Sequence, residues 1–224
     1  MASLKSTANC IGISGRFSLR RDFFGYATNF PITSLRDQIR LLRGPHVHLN
    51  LIEVAPEKFT QHDRLLLDWS LTLMRHIYAT INIGVGRIER WQIKEEEAAG
   101  NEYIDDEDEA KELYSKWAVP NTGIDVFVVI TFGAGEAGLS PIRGTCNKDD
   151  KGAKGCAICP AQNLSSLAHE VGHYMGLPHS EKPDNLMNPN GGDRLDDTVN
   201  LGFVELPQRD LMLSHCSIRG GCPR

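Results

Sequence analysis

Three histidines and one glutamate within eleven residues carry the most specific chemistry in the chain: His169-Glu170-Val171-Gly172-His173-Tyr174-Met175-Gly176-Leu177-Pro178-His179. On a helix, residues four apart share a face, so His169 and His173 can aim their imidazoles at one metal ion. Glu170 sits one residue round from His169. There it flanks such an ion without ligating it, and its carboxylate can take a proton from metal-activated water. Gly176 has no Cβ, so it can adopt a positive φ, end the helix and turn the chain sharply. That turn lets His179 approach the same ion. Three neutral imidazoles with a fourth position left open describe a catalytic zinc site rather than a closed structural one. A bare H-E-x-x-H arises by accident in many helices. Here His169, Glu170, His173, Gly176 and His179 are all specified. At average residue frequencies such a match arises by chance on the order of once in ten thousand chains of this length, or more rarely, which favours the metal reading.

Several elements must position these side chains. Asn163 to Ser166 supply N-cap residues for the histidine helix, and Leu164, Leu167, Ala168, Val171 and Met175 supply its apolar back. From Glu57 to Ile83 there is neither Gly nor Pro, and Leu66, Trp69, Leu73, Ile77 and Ile81 recur at helical spacing, with Leu67, Leu71, Met74 and Tyr78 beside them. This predicts a long amphipathic helix. His46 to Val54 alternates as a strand with one face in the core, which leaves His46 and His48 on its solvent face. Arg87 to Lys94 reads as a second strand, and Ile124 to Phe132, the most apolar run, as a central buried one. A Gly-rich stretch from Gly133 to Gly144 and a cysteine-bearing loop to Pro160 follow. Ser34 to Leu42 is helix-compatible, stopping at Gly44-Pro45. Glu95 to Glu112 holds ten carboxylates. Such a cluster raises calcium as a ligand, but it lacks the central Gly and terminal Glu of the known calcium loop. It therefore reads as a solvated face, helical from Asp105 to Trp117.

Composition bounds the remaining classes. At 224 residues, 41% hydrophobic and 24% charged, the chain is sized for one large domain with its own core. A net charge of -5 gives no general pull toward nucleic acid or anionic membranes. No stretch approaches the roughly 20 unbroken apolar residues of a membrane-spanning helix. The start, MASLKSTANCIGISGRFSLRR, lacks the apolar core of a standard secretory signal and reads as an arm packed on the domain. Six cysteines, Cys10, Cys146, Cys156, Cys159, Cys216 and Cys222, suggest disulfides and an exported protein. Cys146 could close a loop with Cys156 or Cys159, and Cys216 could pair with Cys222. The alternative is a structural zinc site built on Cys156 and Cys159.

The H-E-x-x-H-x-x-G-x-x-H segment resembles the signature of the metzincin zinc endopeptidases. The run His179-Ser180-Glu181-Lys182-Pro183-Asp184-Asn185-Leu186-Met187-Asn188-Pro189 resembles that of matrixins, the matrix-metalloprotease branch. The resemblance implies an α+β, metzincin-like zincin fold. Its α/β-type N-terminal subdomain would hold a twisted, mostly parallel sheet with a backing helix (Thr60 to Ile83) and the active-site helix. Its small C-terminal subdomain would hold a Met-turn at Met187, an apolar floor beneath the imidazoles, and a final helix at Leu206 to Ser217. It also implies a substrate-binding antiparallel edge strand, for which Gly138 to Ile142 is the counterpart. The expected organisation is an arm at 1–44 and a catalytic domain at 45–224, divided into subdomains 45–176 and 177–224. No cysteine latency segment of the matrixin type is present, nor are the ligand-rich loops for a second zinc or calcium. Asn188 stands where matrixins often carry an aromatic residue, so substrate preference does not transfer. The implied reaction is hydrolysis of peptide bonds by zinc-activated water, with Glu170 as general base, on protein or peptide substrates. A monomer is the default. A catalytically silent zinc-containing binding module and a delivered toxin or effector acting through a host-protein contact stay open as alternatives.

Overall fold

The computed structural model describes residues 40–133, 136–150, 153–189 and 202–221. The expected arm lies outside the described residues except for 40–44, as do Cys10, Cys222 and most of the helix-compatible piece at 34–42. In chain order the elements are β1 (His46–Val54), a 3-10 turn (Pro56–Lys58), α1 (Gln61–Thr80), β2 (Gly84–Ile93), α2 (Glu95–Ala98), β3 (Tyr103–Ile104), α3 (Glu107–Lys116), β4 (Ile124–Val128), β5 (Thr131–Phe132), β6 (Gly138–Leu139), β7 (Gly155–Ile158), α4 (Ser166–Tyr174) and α5 (Leu206–Leu213). Five strands form one sheet in the order β2-β1-β4-β7-β6, parallel except for β6, which runs antiparallel to β7 at the edge. The architecture is a mixed α/β one, a mostly parallel sheet with backing helices, as the resemblance implied.

Parallel strands bury both faces, which explains the unbroken apolar run of β4. Ile124, Val126 and Val128 join Leu67, Leu71, Met74, Ile77 and Tyr78 of α1 and Leu167, Ala168 and Val171 of α4 in one core. Phe127 and Val129 point the other way and pack with Ala110, Leu113 and Tyr114 of α3. The single strand expected at 124–132 is in fact two. The chain leaves the large sheet after Val128, and Thr131–Phe132 pairs with β3 in a separate two-stranded sheet. Continuous apolar character cannot mark the point where a strand changes partners.

α1 begins at a reciprocal cap, the Thr60 hydroxyl accepting from Asp63 N–H while the Asp63 carboxylate accepts from Thr60 N–H. Its deepest face is Leu67, Ser70, Leu71, Met74, Ile77 and Tyr78, one residue round from the expected stripe; Leu66, Trp69 and Leu73 are only half-buried. β2 begins at Gly84, earlier than expected, because its glycines allow close approach to β1: a Cβ on Gly86 would lie 2.8 Å from His48 Nδ1.

β1 corrects a second expectation. It lies between β2 and β4, so its polar alternate residues do not face solvent. His46 is buried and bonded through Nδ1 to Gly44 O, and Asn50 is buried and donates to Asp125 Oδ1 at 2.7 Å. His48 accepts Arg87 N–H at 3.0 Å. The acidic stretch forms α2 and α3 with largely exposed acids, Asp106 accepting from the N–H groups of Asp108 and Glu109 at the helix start. Among the described residues these acids do not converge on one point as a bound cation would require.

The cysteines also pair differently from either local expectation. Cys146 bonds to Cys216, 70 residues away, closing the loop after β6 onto the turn after α5. Cys156 and Cys159 are buried, free thiols, facing opposite sides of the sheet and donating to Asp125 O and Ile130 O. A zinc site on that pair is ruled out by this divergence. Gly155–Ile158, expected as loop, is instead a fully buried strand. Four residues between turn-forming neighbours carry too little pattern to announce it. The final helix stops at Leu213 rather than near Ser217, where the chain turns toward the disulfide.

Candidate active site

α4 crosses behind the sheet with Leu167, Ala168, Val171 and Tyr174 in the core, and the hydroxyl of Tyr78 in α1 donates to Ala168 O at 2.9 Å. That bond satisfies a carbonyl in the middle of the histidine helix and fixes α4 against its backing helix. Ser165 stands at the start of α4 without a side-chain cap; Asn163 Oδ1 instead accepts both the N–H and the hydroxyl of Ser165 at 2.7 Å, an Asx turn leading into the helix. At the other end Gly176 has φ 102, a conformation glycine adopts without strain, and the chain turns back toward the site.

The three histidines converge. Ring centroids lie 4.6 Å apart for His169 and His173, 4.6 Å for His173 and His179 and 5.5 Å for His169 and His179. One nitrogen from each falls within 4.8 Å of the other two. His169 Nδ1 is bonded to Leu186 O at 2.7 Å and His173 Nδ1 to Leu177 O at 2.7 Å. A carbonyl can only accept, so each Nδ1 carries the proton and each Nε2 keeps its lone pair. His173 is buried, His169 half-buried and His179 exposed. Burial, and then His169 beside it, pushes the His173 imidazole down to about 4, and burial also lowers His169. Both are therefore neutral near pH 7, the form that can ligate a metal. The donor set and the tautomers fit one divalent ion of the zinc type.

Glu170 is buried next to this group. Burial, and then the charge of Glu136, pushes its carboxyl up to about 8, so it can exchange a proton near neutrality. It faces β6: a Cβ on Gly138 would lie 2.5 Å from Glu170 Cγ, so the glycine makes room for the acid.

Met187 is fully buried, and its Sδ sits 2.8 Å from where a Cβ on Gly172 would be. The Val171-Gly172 step of the motif is thus a seat for the methionine. Residues that spacing does not announce hold this methionine. Asn185 is buried, accepts Met187 N–H at 2.9 Å and exchanges amide bonds with Gln208 of α5. Leu186, whose carbonyl orients His169, is held by Phe203 O. These are backbone groups and amides that only the folded chain brings near the site. The Asn-Leu-Met sequence offered no direct signal for them.

Residues 71–180 match the model of the metallo-peptidase family M12B, reprolysin-like. No curated protein sequence matches the chain. A metalloproteinase-II from Bacteroides fragilis aligns at 14% identity over 77% of this chain with a TM-score of 0.54. This chain spans about half of that structure, 53% of its length. An archaemetzincin from Methanopyrus kandleri aligns at 12% identity over 74% of this chain and 93% of that one, with a TM-score of 0.44. The matched family model is reprolysin-like, and matrixins are not singled out. All three histidines lie inside the segment that resembles a reprolysin-like metallo-peptidase, and the fold around them is similar to that of a solved metalloproteinase.

Proposed function

We propose that the chain is a zinc-dependent endopeptidase in which His169, His173 and His179 hold the ion through Nε2 and Glu170 is the general base. The observation that carries this reading is the pair of Nδ1–carbonyl bonds, from His169 to Leu186 and from His173 to Leu177, which turn two free nitrogens toward one point shared with His179. An ion held there supplies Lewis acidity to water and to the scissile carbonyl. Glu170 receives the proton from the attacking water and passes it to the leaving amine. Its burial keeps the carboxyl protonatable near neutral pH, and Gly138 leaves it space beside β6. The short edge strand β6 supports the extended binding of a protein or peptide substrate by strand addition.

Met187 serves as the Met-turn residue, supported by its burial against Gly172 and by the matrixin-like run after His179. The described residues of 45–176 and of 177–221 would form the two subdomains on either side of the histidines. The chain acts as a monomer. The Cys146–Cys216 bond fits an oxidising, extracellular setting. The deciding experiment is hydrolysis of unfolded casein by zinc-loaded wild type and by Glu170→Ala, each with a chelator control. Loss of cleavage in the variant with zinc still bound supports the assignment. Full activity in the variant removes Glu170 from the mechanism, and zinc binding by wild type without turnover would favour a silent binding module.

A further inference from the structure

A helix ends with carbonyls that have no partner of their own. In α4 two of them, on His173 and Tyr174, are met by N–H groups from a distant stretch. Arg143 N–H donates to His173 O at 2.9 Å and Gly144 N–H to Tyr174 O at 2.8 Å. The Tyr174 hydroxyl returns the contact by donating to Thr145 O. Glycine is required at 144, because a Cβ there would lie 2.2 Å from the Tyr174 ring. The stretch is itself locked from the C-terminal side. Buried His215 donates from Nε2 to Gly144 O at 2.9 Å, accepts Ser217 N–H at Nδ1, and packs edge-on against Tyr174 with centroids 5.5 Å apart. Immediately beside it the Cys146–Cys216 bond closes the loop.

Resting on the metal reading above, we propose that residues 143–146, locked by His215 and the Cys146–Cys216 disulfide, form a clamp that positions the metal centre. The clamp acts through the turn that follows α4. His173 O accepts from both Arg143 N–H and Gly176 N–H, and Leu177 N–H is tied back to Gly172 O at 3.0 Å. Leu177 O in turn orients the His173 ring, and the same turn carries the chain on to His179. Freeing residues 143–146 loosens the path to two of the three imidazoles at once. Carbonyls that orient metal-binding imidazoles contribute about 10–100-fold in metal affinity, and the clamp inherits part of that factor.

The test uses cobalt(II) as the probe, titrated into the metal-free full chain in competition with a chelator and followed by its d–d absorption. In the double variant C146S/C216S and in His215→Ala, cobalt affinity should fall by about tenfold or more and the band should change shape, with the far-UV signal retained. His215→Gln, whose amide can still donate to Gly144 O, should recover most of the affinity. Lys58→Met is the control: it breaks the ion pair with buried Glu102, far from the site, and should loosen the chain without altering cobalt binding. Wild-type affinity and spectrum in C146S/C216S and His215→Ala would overturn the clamp alone, as would an equal loss in Lys58→Met. Should the double variant not fold, the His215 pair decides. Wild type that takes up no cobalt would overturn the metal reading and the clamp together.

Discussion

Two histidine groups in this molecule have similar spacing in space and opposite character. His46 and His48 on β1 lie with ring centroids 5.0 Å apart, scarcely farther than the 4.6 Å between His169 and His173. In the first group His48 Nδ1 accepts a backbone N–H, so that nitrogen's lone pair is consumed, and among the described residues no third ligand joins the pair. In the second group, each Nδ1 of His169 and His173 is spent on a carbonyl, the remaining nitrogens face a third imidazole, and a buried acid stands alongside. Proximity is common to both. What makes one of them suited to hold an ion is the direction in which the unprotonated nitrogens point, set by backbone carbonyls outside the motif.

The comparison is broken most directly by truncating one ring from each group. His173→Ala should abolish both stoichiometric zinc binding and peptide hydrolysis, whereas His46→Ala should leave zinc content intact, as read by metal analysis after gel filtration. Next in size, Glu170→Ala should keep the zinc and lower the hydrolysis rate by about 10²–10⁴-fold, the range for losing a positioned general base. A smaller effect should follow from Gly172→Ala, whose new Cβ meets Met187 Sδ at 2.8 Å in a fully buried setting. Overpacking of this kind costs about 1–3 kcal/mol, visible as a lower thermal midpoint. The smallest change is in pH dependence. Burial, followed by the charges of His46, Arg87 and Arg219, pushes His48 down to about 4 from 6.5. The unfolded chain therefore takes up a proton below pH 6.5 that the native state refuses until about 4, so the stability His48 contributes is present above 6.5 and lost as pH falls toward 4. His48→Gln, which keeps an acceptor for Arg87 N–H without an ionising ring, should flatten that part of the acid decline in thermal midpoint. An unchanged slope would show that His48 is not held neutral.

Legibility in the sequence varied with how local the cause was. Gly176 and the histidine spacing each act within one or two helical turns, and in the folded chain Gly176 has a positive φ and the three rings converge. β7 was not legible, because a strand of four residues owes its existence to the β4 and β6 neighbours on either side. The cysteine pairing failed for a related reason: nearness along the chain suggested Cys146 with Cys156 or Cys159, while the sheet sends those two thiols to opposite faces and brings Cys216 from the far end. The same holds for His46 and His48, whose alternation is real but whose strand is an interior one.

The order of residues alone determined which side chains could share one site, since a helix period and a glycine turn are short-range consequences of covalent geometry. Tertiary structure decided how those side chains are aimed and supported: the carbonyls of Leu177 and Leu186, the amide pair of Asn185 and Gln208, and the N–H groups of Arg143 and Gly144 all arrive from outside the helix. Hydrogen-bond donors and acceptors in a buried site must find partners wherever the folded chain supplies them, and that supply depends on contacts that no local pattern encodes.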